Sequence, residues 1–408
     1  MSPSRCRSCD APDLEVVLSL GRTPLANALL TREQLRLPES RYPLDLAFCS
    51  RCALVQITET VPPAELFGDY LYFSSYSDTM LRHAQTLVDR LAVERRLNGT
   101  GLVIEIASND GYLLQYYRQR GIPVLGIEPA RNVARVAVER GVPTLCDFFG
   151  IELARRLRQR GQQADVVHAH NVLAHVADLN GVVQGMESVL KDDGVVVVEV
   201  PYVKDLLDHC EFDTIYHEHL CYFSLTALDG LFRRHGLVVQ DVERIAIHGG
   251  SLRLFAGKAA TAKPSSAVTA LLADEEGWGV RRVETYRKFG ARVEALKSSL
   301  TSMLKGLKQR GGRIAAYGAA AKGSTLLNYA GIGLETLDFV VDRSPHKQGR
   351  FMPGVHLPIY PPERLLEEMP EHVLLLTWNF ADEILEQQAA YRKLGGRFII
   401  PVPEVKVA

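Results

Sequence analysis

The stretch between Glu211 and Phe223 concentrates side chains that can carry out acid–base chemistry. Its ionisable and phenolic residues are Glu211, Asp213, Tyr216, His217, Glu218, His219, Cys221 and Tyr222. Apolar residues lie between them and can anchor the stretch to a core. Such a cluster suits general acid–base catalysis, because burial and mutual contact move pKa values toward neutrality. A polar, aromatic surface loop would have the same composition, and only the position of the stretch after a predicted cofactor-binding sheet favours the chemical interpretation.

Two cysteine pairs near the amino terminus predict a metal site. Cys6 and Cys9 form one Cys-x-x-Cys pair, and Cys49 and Cys52 form the other. Two turns that each present two thiolates can together make the tetrahedral sulfur site that zinc prefers. Because four thiolates leave no open position for water or substrate, we expect a structural zinc ion that closes a small N-terminal domain.

The region from residue 98 to residue 260 alternates apolar strands with helical segments. Strands are predicted at 101–106, 124–127, 143–146, 164–170 and 194–200. Continuous apolar strands joined by helices are typical of a parallel sheet with helices on both faces. Two antiparallel strands, within 237–240 and 251–257, are predicted to close one edge of this Rossmann-like sheet.

The turn after the first of these strands predicts where a cofactor binds, since ligands of open α/β sheets lie at the carboxyl ends of the strands. It has the form Glu105-x-Ala107-x-Asn109-x-Gly111, in which only small residues or residues that tolerate a left-handed backbone fit. The spacing is that of the glycine loop of S-adenosylmethionine methyltransferases, with two glycines replaced. A dinucleotide is disfavoured, because Glu105 would repel its pyrophosphate.

Acidic residues also end the next two strands. Glu128 is positioned to accept hydrogen bonds from ribose hydroxyls, and Asp147 from an adenine amine. Each acid alone is better explained as a solvated strand-end carboxylate, but the three in register favour an adenosyl cofactor. The other cofactor-binding candidates are Phe148, His170 and Asn171.

The last hundred residues predict a second, smaller α/β unit. Its turn from Gly318 to Gly323 leads to Lys322 at the start of a helix, where backbone N–H groups and one ammonium can hold a diphosphate. Asp342 stands where an NAD-binding domain has its ribose acid. The turn lacks the middle glycine that a dinucleotide needs, so we favour a nucleotide-sugar diphosphate or simple structural duplication over NAD.

The resulting domain prediction has five parts. They are a zinc-binding domain at 1–60, an aromatic connection and helix at 61–97, the cofactor domain at 98–260, a helical bridge at 261–310 and the C-terminal α/β domain at 311–408. The aromatic connection offers Tyr70, Tyr72 and Tyr76 as substrate-contacting candidates, although such tyrosines more often cover a domain junction.

Composition excludes several classes of partner. The chain has 408 residues, a net charge of −1 and an isoelectric point near 6.9. This charge balance gives no basic surface for nucleic acid or anionic membranes. No apolar run approaches the roughly 18 residues of a membrane span, and the amino terminus has no apolar signal region. We expect a cytoplasmic, monomeric protein that acts on a small molecule.

The chain resembles the sugar C-methyltransferases, which act on nucleotide-linked 4-keto-deoxyhexoses in the biosynthesis of branched deoxysugars. The residues that carry the resemblance are the four cysteines and the segments 105–111, 216–219 and 317–323. The resemblance implies a zinc-bearing N-terminal domain, a central class I S-adenosylmethionine methyltransferase domain and a C-terminal domain that helps to hold a TDP-sugar.

Carbon methylation requires a base that removes a proton next to a ketone, and a partner for the enolate oxygen. The resemblance assigns proton abstraction to His219, with Glu218 able to hold its ring, and Tyr216 to the keto oxygen or the hexose. His175 is a candidate for positioning the substrate, although a surface histidine is nearly as good an explanation. Tyr70 joins these catalytic candidates. Tyr72, Tyr76, Tyr222 and Lys322 are the substrate-binding ones.

Three functional hypotheses follow. The first is methylation of the carbon next to the ketone, C3 in preference to C5. The second is a methyltransferase that acts at oxygen or on another small carbonyl compound. The third is a non-enzymatic zinc-ribbon protein that binds nucleic acid, which is disfavoured because only Arg5, Arg7 and Arg51 accompany the cysteine pairs.

Overall fold

A computed structural model of the chain describes residues 5–62, 66, 73–247 and 249–408. The candidates Tyr70 and Tyr72 lie outside these residues. Within the described ranges, no helix is both long enough and apolar enough to cross a membrane.

The N-terminal domain is built on an antiparallel sheet that takes one strand from elsewhere in the chain. Strands β1 (Glu15–Thr23), β2 (Tyr42–Phe48) and β3 (Val55–Ile57) follow one another, with a 3₁₀ turn at Gln34–Arg36. The fourth strand is β9 (Cys221–Tyr222), which pairs with β3 through Val55–Tyr222 and Gln56–Cys221. The zinc-domain sheet therefore includes the end of the predicted acid–base stretch.

A connection and one long helix join this sheet to the central domain. A 3₁₀ turn at Ser74–Tyr76 precedes α1 (Asp78–Glu94), and the Ser77 hydroxyl caps the helix by accepting from the Met80 N–H. Helix α1 buries Ala84, Leu87 and Leu91 against the central sheet. The predicted amphipathic helix is thereby confirmed.

The central domain has the predicted mixed sheet. Its parallel strands are β4 (Val103–Ile106), β5 (Val124–Ile127), β6 (Thr144–Leu145), β7 (Ala164–His170) and β8 (Leu190–Pro201). The antiparallel strands are β10 (Leu237–Ile245) and β11 (Ser251–Lys258). The order across the sheet is β10-β11-β8-β7-β4-β5-β6. From β4 the chain adds β5 and β6 on one side and then returns to add β7 and β8 on the other, so the strand order reverses between β4 and β7. A crevice at this switch point is where open α/β sheets bind ligands.

Helices cover both faces of the central sheet. They are α2 (Leu114–Gln119), α3 (Arg131–Glu139), α4 (Ile151–Gln159), α5 (Leu179–Val189), α6 (Val203–Asp208) and α7 (Leu225–Arg234), with 3₁₀ turns at Leu173–His175 and Phe212–Thr214. The acid–base stretch lies between α6 and α7, beyond the carboxyl end of β8.

The C-terminal domain is a second α/β unit, as predicted. Its sheet has the order β14-β13-β12-β15-β16-β17 and is parallel except for the last strand. The strands are β12 (Ile314–Tyr317), β13 (Val340–Val341), β14 (Ile359–Tyr360), β15 (His372–Leu375), β16 (Arg397–Ile400) and β17 (Lys406–Val407). Its helices are α10 (Ala321–Ala330), α11 (Arg364–Glu368), α12 (Ala381–Gln387) and α13 (Ala389–Lys393), with a 3₁₀ turn at Trp378–Phe380.

Two helices, α8 (Ser266–Trp278) and α9 (Val283–Gln309), bridge the central and C-terminal domains. One continuous apolar core includes residues of all three domains. Helix α9 packs directly on β1, because a Cβ added at Gly290 would lie only 2.4 Å from the Val17 carbonyl oxygen. The three domains therefore share one apolar core, which also includes residues of the acid–base stretch.

Candidate active site

The four paired cysteines come together as predicted. Their Sγ atoms all lie within 4.8 Å of one another, with Cys6 and Cys52 3.5 Å apart and Cys9 and Cys49 3.6 Å apart. Four sulfurs bound tetrahedrally at about 2.3 Å from a zinc ion would be about 3.8 Å apart, so the cluster fits zinc. Three of the four cysteines are buried, which suits a closed structural site.

The first turn of the central sheet has the left-handed backbone that its sequence predicts. Ala107, Asn109 and Gly111 have φ values of 51°, 51° and 79°. For Ala107 this conformation costs about 1–2 kcal/mol relative to glycine, so the remainder of the turn must hold it. These three residues form the turn that directly follows β4, the strand that carries Glu105.

Glu105 is a buried acid whose described electrostatic neighbours are other carboxylates. Its Oε2 finds no hydrogen-bond partner among the described residues. Burial, together with the carboxylates of Glu128, Asp110 and Glu199, raises its pKa well above the ordinary value. A positively charged ligand over this turn would relieve the repulsion, which fits the ammonium and sulfonium charges of S-adenosylmethionine and disfavours a pyrophosphate.

Glu128 shapes the turn from the neighbouring strand. Its Oε2 accepts from the Asn109 N–H at 2.9 Å, and its Oε1 accepts from the Ala130 N–H at 2.8 Å. Burial nevertheless raises its pKa. Glu128 therefore fixes the backbone of Asn109 and remains at the strand end where a ribose was predicted.

The third acid, Asp147, lies at the surface. Its Oδ2 accepts from Arg156 at 2.9 Å and its Oδ1 from the Phe148 N–H at 2.8 Å. The Phe148 side chain is 62% exposed. Both candidates lie at the end of β6, as predicted, but Asp147 already has an ion-pair partner.

His170 and Asn171 end β7, and they differ in their surroundings. The Nδ1 of His170 lies 3.0 Å from Glu199, and its Nε2 lies 2.9 Å from the Nδ1 of His168, so both ring nitrogens have protein partners. Asn171 has a φ of 55°, and its Oδ1 is buried with no partner in the described parts of the chain. Of the two, Asn171 has the side-chain oxygen that could bind a ligand without giving up a described protein contact.

Glu199 is the centre of a buried ionic network beneath this edge of the sheet. It also contacts His83 at 2.9 Å and Arg253 at 2.7 Å. Burial opposes its ionisation, but His170, His83 and Arg253 together hold its pKa well below the ordinary value. The network ties α1 and β11 to the end of β7 and so steadies Asn171.

His219 and Tyr216 form the hydrogen-bonded pair at the centre of the acid–base stretch. The Nδ1 of His219 lies 2.9 Å from the carbonyl oxygen of Thr214, and its Nε2 lies 2.9 Å from the Tyr216 hydroxyl. Because a carbonyl can only accept, Nδ1 carries a hydrogen and donates it. In the neutral ring Nε2 then has the lone pair, which accepts from Tyr216. His219 is thus held in the tautomer of a base.

The rings of His175 and Tyr222 both pack against the ring of His219. The His175 ring lies edge-on to His219 at 4.9 Å between centroids, and the Tyr222 ring lies edge-on at 6.5 Å. Burial lowers the pKa of His175 to about 4, opposed by a hydrogen bond to the Glu218 backbone. His175 is therefore neutral at physiological pH. His175 thus lies beside the acid–base stretch, and its role in positioning the substrate stays a prediction.

The Glu218 carboxylate faces the zinc-binding domain. It accepts a 2.7 Å hydrogen bond from the amide of Asn27. Burial raises the pKa of Glu218, and this hydrogen bond opposes the rise. The His219 ring nitrogens contact Thr214 and Tyr216, and the role of Glu218 in holding this ring stays a prediction.

Lys322 lies at the junction of the C-terminal and central domains. Its Nζ is 2.9 Å from the Asn379 side-chain oxygen and 4.6 Å from the centroid of the Trp378 ring. The Trp378 indole N–H donates to Asp213 at 2.6 Å, which links this junction to the acid–base stretch. Tyr76, in contrast, is 79% exposed, and its ring lies against Phe73.

Sequence analysis missed several residues of this site. Thr214 contributes only a backbone oxygen, which no side-chain pattern reveals. Asn27 and Trp378 are distant in sequence and reach the stretch only through domain packing. Asp213 was recognised as titratable, but its tryptophan partner was not.

The central domain belongs to the class I methyltransferases, and a family model described as a methyltransferase domain matches residues 76–242. A model for a putative zinc binding domain matches residues 6–67, and one for a C-methyltransferase C-terminal domain matches residues 246–403. C-methyltransferase NovU of Streptomyces niveus is 40% identical over 404 residues, which cover 98% of this chain and 96% of NovU. The chain therefore belongs to this family of C-methyltransferases, and the predicted resemblance is confirmed.

Two solved structures that resemble part of the chain have low sequence identity to it. The PH0226 protein of Pyrococcus horikoshii OT3 is 16% identical with a TM-score of 0.38, over 48% of this chain and 98% of its own. Magnesium protoporphyrin IX methyltransferase (ChlM) of Synechocystis PCC 6803, with bound SAH, is 16% identical with a TM-score of 0.35, over 48% and 91%.

Proposed function

We propose that this protein transfers a methyl group from S-adenosylmethionine to the carbon next to the ketone, C3, of a TDP-linked 4-keto-deoxysugar. The observation that carries the proposal is the His219 ring, whose Nδ1 donates to Thr214 and whose Nε2 accepts from Tyr216. Carbon methylation next to a ketone needs one base and one donor to the carbonyl oxygen. His219 can supply the base and Tyr216 the donor, and a hydrogen bond holds the two side chains together.

The residues of the donor site fit S-adenosylmethionine. Glu105 offers a buried oxygen with no partner in the described chain, beneath a turn with a left-handed backbone. Asn171 offers a second such oxygen at the adjacent strand end. When bound, this cofactor supplies a methyl group on a sulfonium, which a carbanion can attack.

His219 would remove the proton through Nε2. As the C–H bond of the sugar breaks, its electrons pass to the keto oxygen and the proton goes to Nε2. For this step the Tyr216 hydroxyl turns its hydrogen from Nε2 to the keto oxygen when the sugar binds, which leaves the Nε2 lone pair free to take the proton; the protonated ring can then donate to the Tyr216 oxygen. Thr214 prevents the ring from turning during this exchange, because it accepts from Nδ1 in both protonation states.

Two neighbouring rings cover His219 without adding a charge beside it. His175 and Tyr222 cover the His219 ring edge-on, and Tyr222 is only 5% exposed. A neutral His175 adds no positive charge beside His219, so proton uptake by His219 is not opposed by a neighbouring imidazolium. Its remaining Nδ1, which has no partner among the described residues, is available to a sugar hydroxyl.

The C-terminal domain offers Lys322 for the diphosphate of the sugar nucleotide. Lys322 is the second residue of α10, so a phosphate there would also meet backbone N–H groups at the helix start. Asp342 already accepts from the Ala319 N–H at 2.7 Å and the Ser344 N–H at 2.8 Å. Because its carboxylate holds the turn, these bonds support a diphosphate at Lys322 over an NAD ribose at Asp342.

The test is proton exchange in heavy water. The protein is incubated with S-adenosylmethionine, or with its demethylated product, and a TDP-4-keto-2,6-dideoxyhexose, and deuterium and methyl incorporation are followed by NMR. We expect the wild type to exchange the proton next to the ketone and His219→Ala to lose at least 100-fold of both exchange and methylation.

The matched control is His209→Ala, which removes a half-exposed imidazole from the same connection. Both variants should bind S-adenosylmethionine within about twofold of the wild type. Retained exchange in His219→Ala would remove His219 as the base, and a product methylated at oxygen would replace carbon methylation as the reaction.

A further inference from the structure

We propose that Asn27 of the zinc-binding domain is a positioning residue of the active site, which holds the carboxylate of Glu218 through its side-chain amide. The inference rests on the proposed function, because it gives the zinc-binding domain a part in that reaction. Asn27 lies between the two cysteine pairs in sequence and is not part of any predicted motif. Its 2.7 Å hydrogen bond to Glu218 joins the zinc-binding domain to the acid–base stretch.

The zinc-binding domain holds the acid–base stretch along its length. The Nε2 of His217 donates to the carbonyl of Pro43 at 3.1 Å, and the Ile57 N–H donates to the Leu220 carbonyl at 3.0 Å. Beyond Leu220 the stretch becomes β9 and pairs with β3. These contacts fix the backbone on both sides of Glu218, and Asn27 adds the one described contact from this domain to its carboxylate.

The loop that carries Asn27 is itself fixed from outside. The Ala28 N–H donates to Leu25, and the next residues pair with the C-terminal domain, where Leu30 and Phe351 exchange two backbone hydrogen bonds of 3.0 and 2.9 Å. The Arg350 guanidinium also donates to the Leu29 carbonyl. A loop held by a second domain can direct a short side chain with little loss of entropy, which is what a positioning residue requires.

Asn27 can act on catalysis through Glu218, because Glu218 is bonded to His175, which packs against the proposed base His219. The Glu218 backbone bonds to the His175 side chain, and the His175 ring packs against that of His219. The amide of Asn27 can only donate to a carboxylate, so it fixes one carboxylate oxygen and favours the ionised form. Without this donor, the Glu218 side chain would be free to rotate or to take up a proton in a site that disfavours its charge.

The experiment compares Asn27→Ala and Asn27→Asp with the wild type in full-length zinc-loaded protein. Asn27→Asp keeps the shape but replaces the donor with a second carboxylate. We expect kcat for methylation to fall about 10-fold in Asn27→Ala and further in Asn27→Asp, with KM and the affinity for S-adenosylmethionine within about twofold. The control is Gln34→Ala, which removes an exposed amide from the same domain.

A double-mutant cycle with Glu218→Gln separates positioning from a general structural role. If Asn27 acts through Glu218, Asn27→Ala should change kcat less than twofold in the Glu218→Gln background. An equal loss in both backgrounds, or a loss of donor affinity that matches the loss of kcat, would overturn the proposal.

A second readout does not depend on the substrate. Hydrogen exchange of the peptide spanning 214–222 should be faster in Asn27→Ala than in the wild type or Gln34→Ala. If the wild type fails to methylate the keto-sugar, the proposed function fails, and this exchange still decides whether Asn27 holds the stretch. Unchanged exchange together with unchanged kcat would refute the inference alone.

Discussion

Asp213 is a fully buried carboxylate whose surroundings only partly compensate its charge. It accepts from the Trp378 indole, while its Oδ1 has no partner within the described residues. Burial raises its pKa to about 6, and Lys322 and Trp378 oppose the rise. The Asp213 carboxylate thus binds the Trp378 indole, but its burial as an ion lowers the free energy of unfolding.

Replacing Asp213 with asparagine should stabilise the protein at high pH and not at low pH. The folded pKa, near 6, lies above the unfolded value of about 3.9, so stability falls as pH rises between these values. Above pH 6 the penalty is about 3 kcal/mol, from about two pK units at 1.4 kcal/mol each. Asparagine carries no charge and keeps an oxygen for Trp378, so Asp213→Asn escapes this penalty.

The measurement is the free energy of unfolding by denaturant at pH 8 and pH 4.5. Asp213→Asn should gain on the wild type at pH 8 by up to about 3 kcal/mol and much less at pH 4.5. The exposed acid Asp274 provides the control variant, Asp274→Asn. An equal effect at both pH values would show that the Asp213 charge is not the cause.

At the scale of elements, the turn after β4 is joined to the connection that precedes α1. The Ser74 N–H donates to the Asn109 side chain at 2.9 Å, and the Ser75 hydroxyl bonds to Asp110. Arg140 contacts both Ser75 and Asp110, at 2.9 and 2.7 Å. The asparagine that replaces a glycine in this turn therefore links the donor site to the aromatic connection.

Asn109→Gly should loosen this link without straining the turn, because glycine accepts a φ of 51°. We expect a loss of about 1–2 kcal/mol in unfolding free energy, since the buried Ser74 N–H loses its acceptor. Hydrogen exchange at 73–77 should accelerate. Asn109→Ala should be less stable than Asn109→Gly by about 1 kcal/mol, because alanine is strained there.

The control for this pair is Asn98→Gly, which removes an exposed asparagine that bonds the Thr100 N–H. Equal exchange at 73–77 in Asn109→Gly and the wild type would mean that Asn109 does not hold the connection.

The elements and their sites differ in how far the sequence predicts them. The central sheet follows from apolar strands and the left-handed turn from its residue types, because both depend on local physics. Four cysteines at short spacing predict their own cluster. The partners of Glu218 and Asp213 could not be predicted, since Asn27 and Trp378 arrive through contacts between domains. The sharing of β9 was missed as well, because a two-residue strand carries too little pattern.

At the scale of the whole molecule, the acid–base stretch is enclosed by three domains. The central domain supplies the stretch and the donor site, the zinc-binding domain supplies β3 and Asn27, and the C-terminal domain supplies Trp378. The turn after β4 lies in the central domain, where Ser74 and Ser75 of the connection before α1 bond to Asn109 and Asp110. In the proposed reaction, donor binding uses the turn after β4 and proton abstraction uses the acid–base stretch, and these described contacts that hold the two come from different parts of the chain.

Removing zinc should separate these two functions. Without the metal, four thiolates or thiols would no longer be held together, β3 would lose its support, and the β3–β9 pairing would weaken. We expect a chelated sample, or Cys9→Ser, to lose at least 10-fold of methylation while S-adenosylmethionine affinity, measured by calorimetry, stays within about threefold. Hydrogen exchange should rise at 216–222 and remain slow at 103–106.

The control is Cys146→Ser, which removes an exposed thiol away from the cluster. Full activity in zinc-free protein with unchanged exchange at 216–222 would mean that the central and C-terminal domains suffice to hold His219.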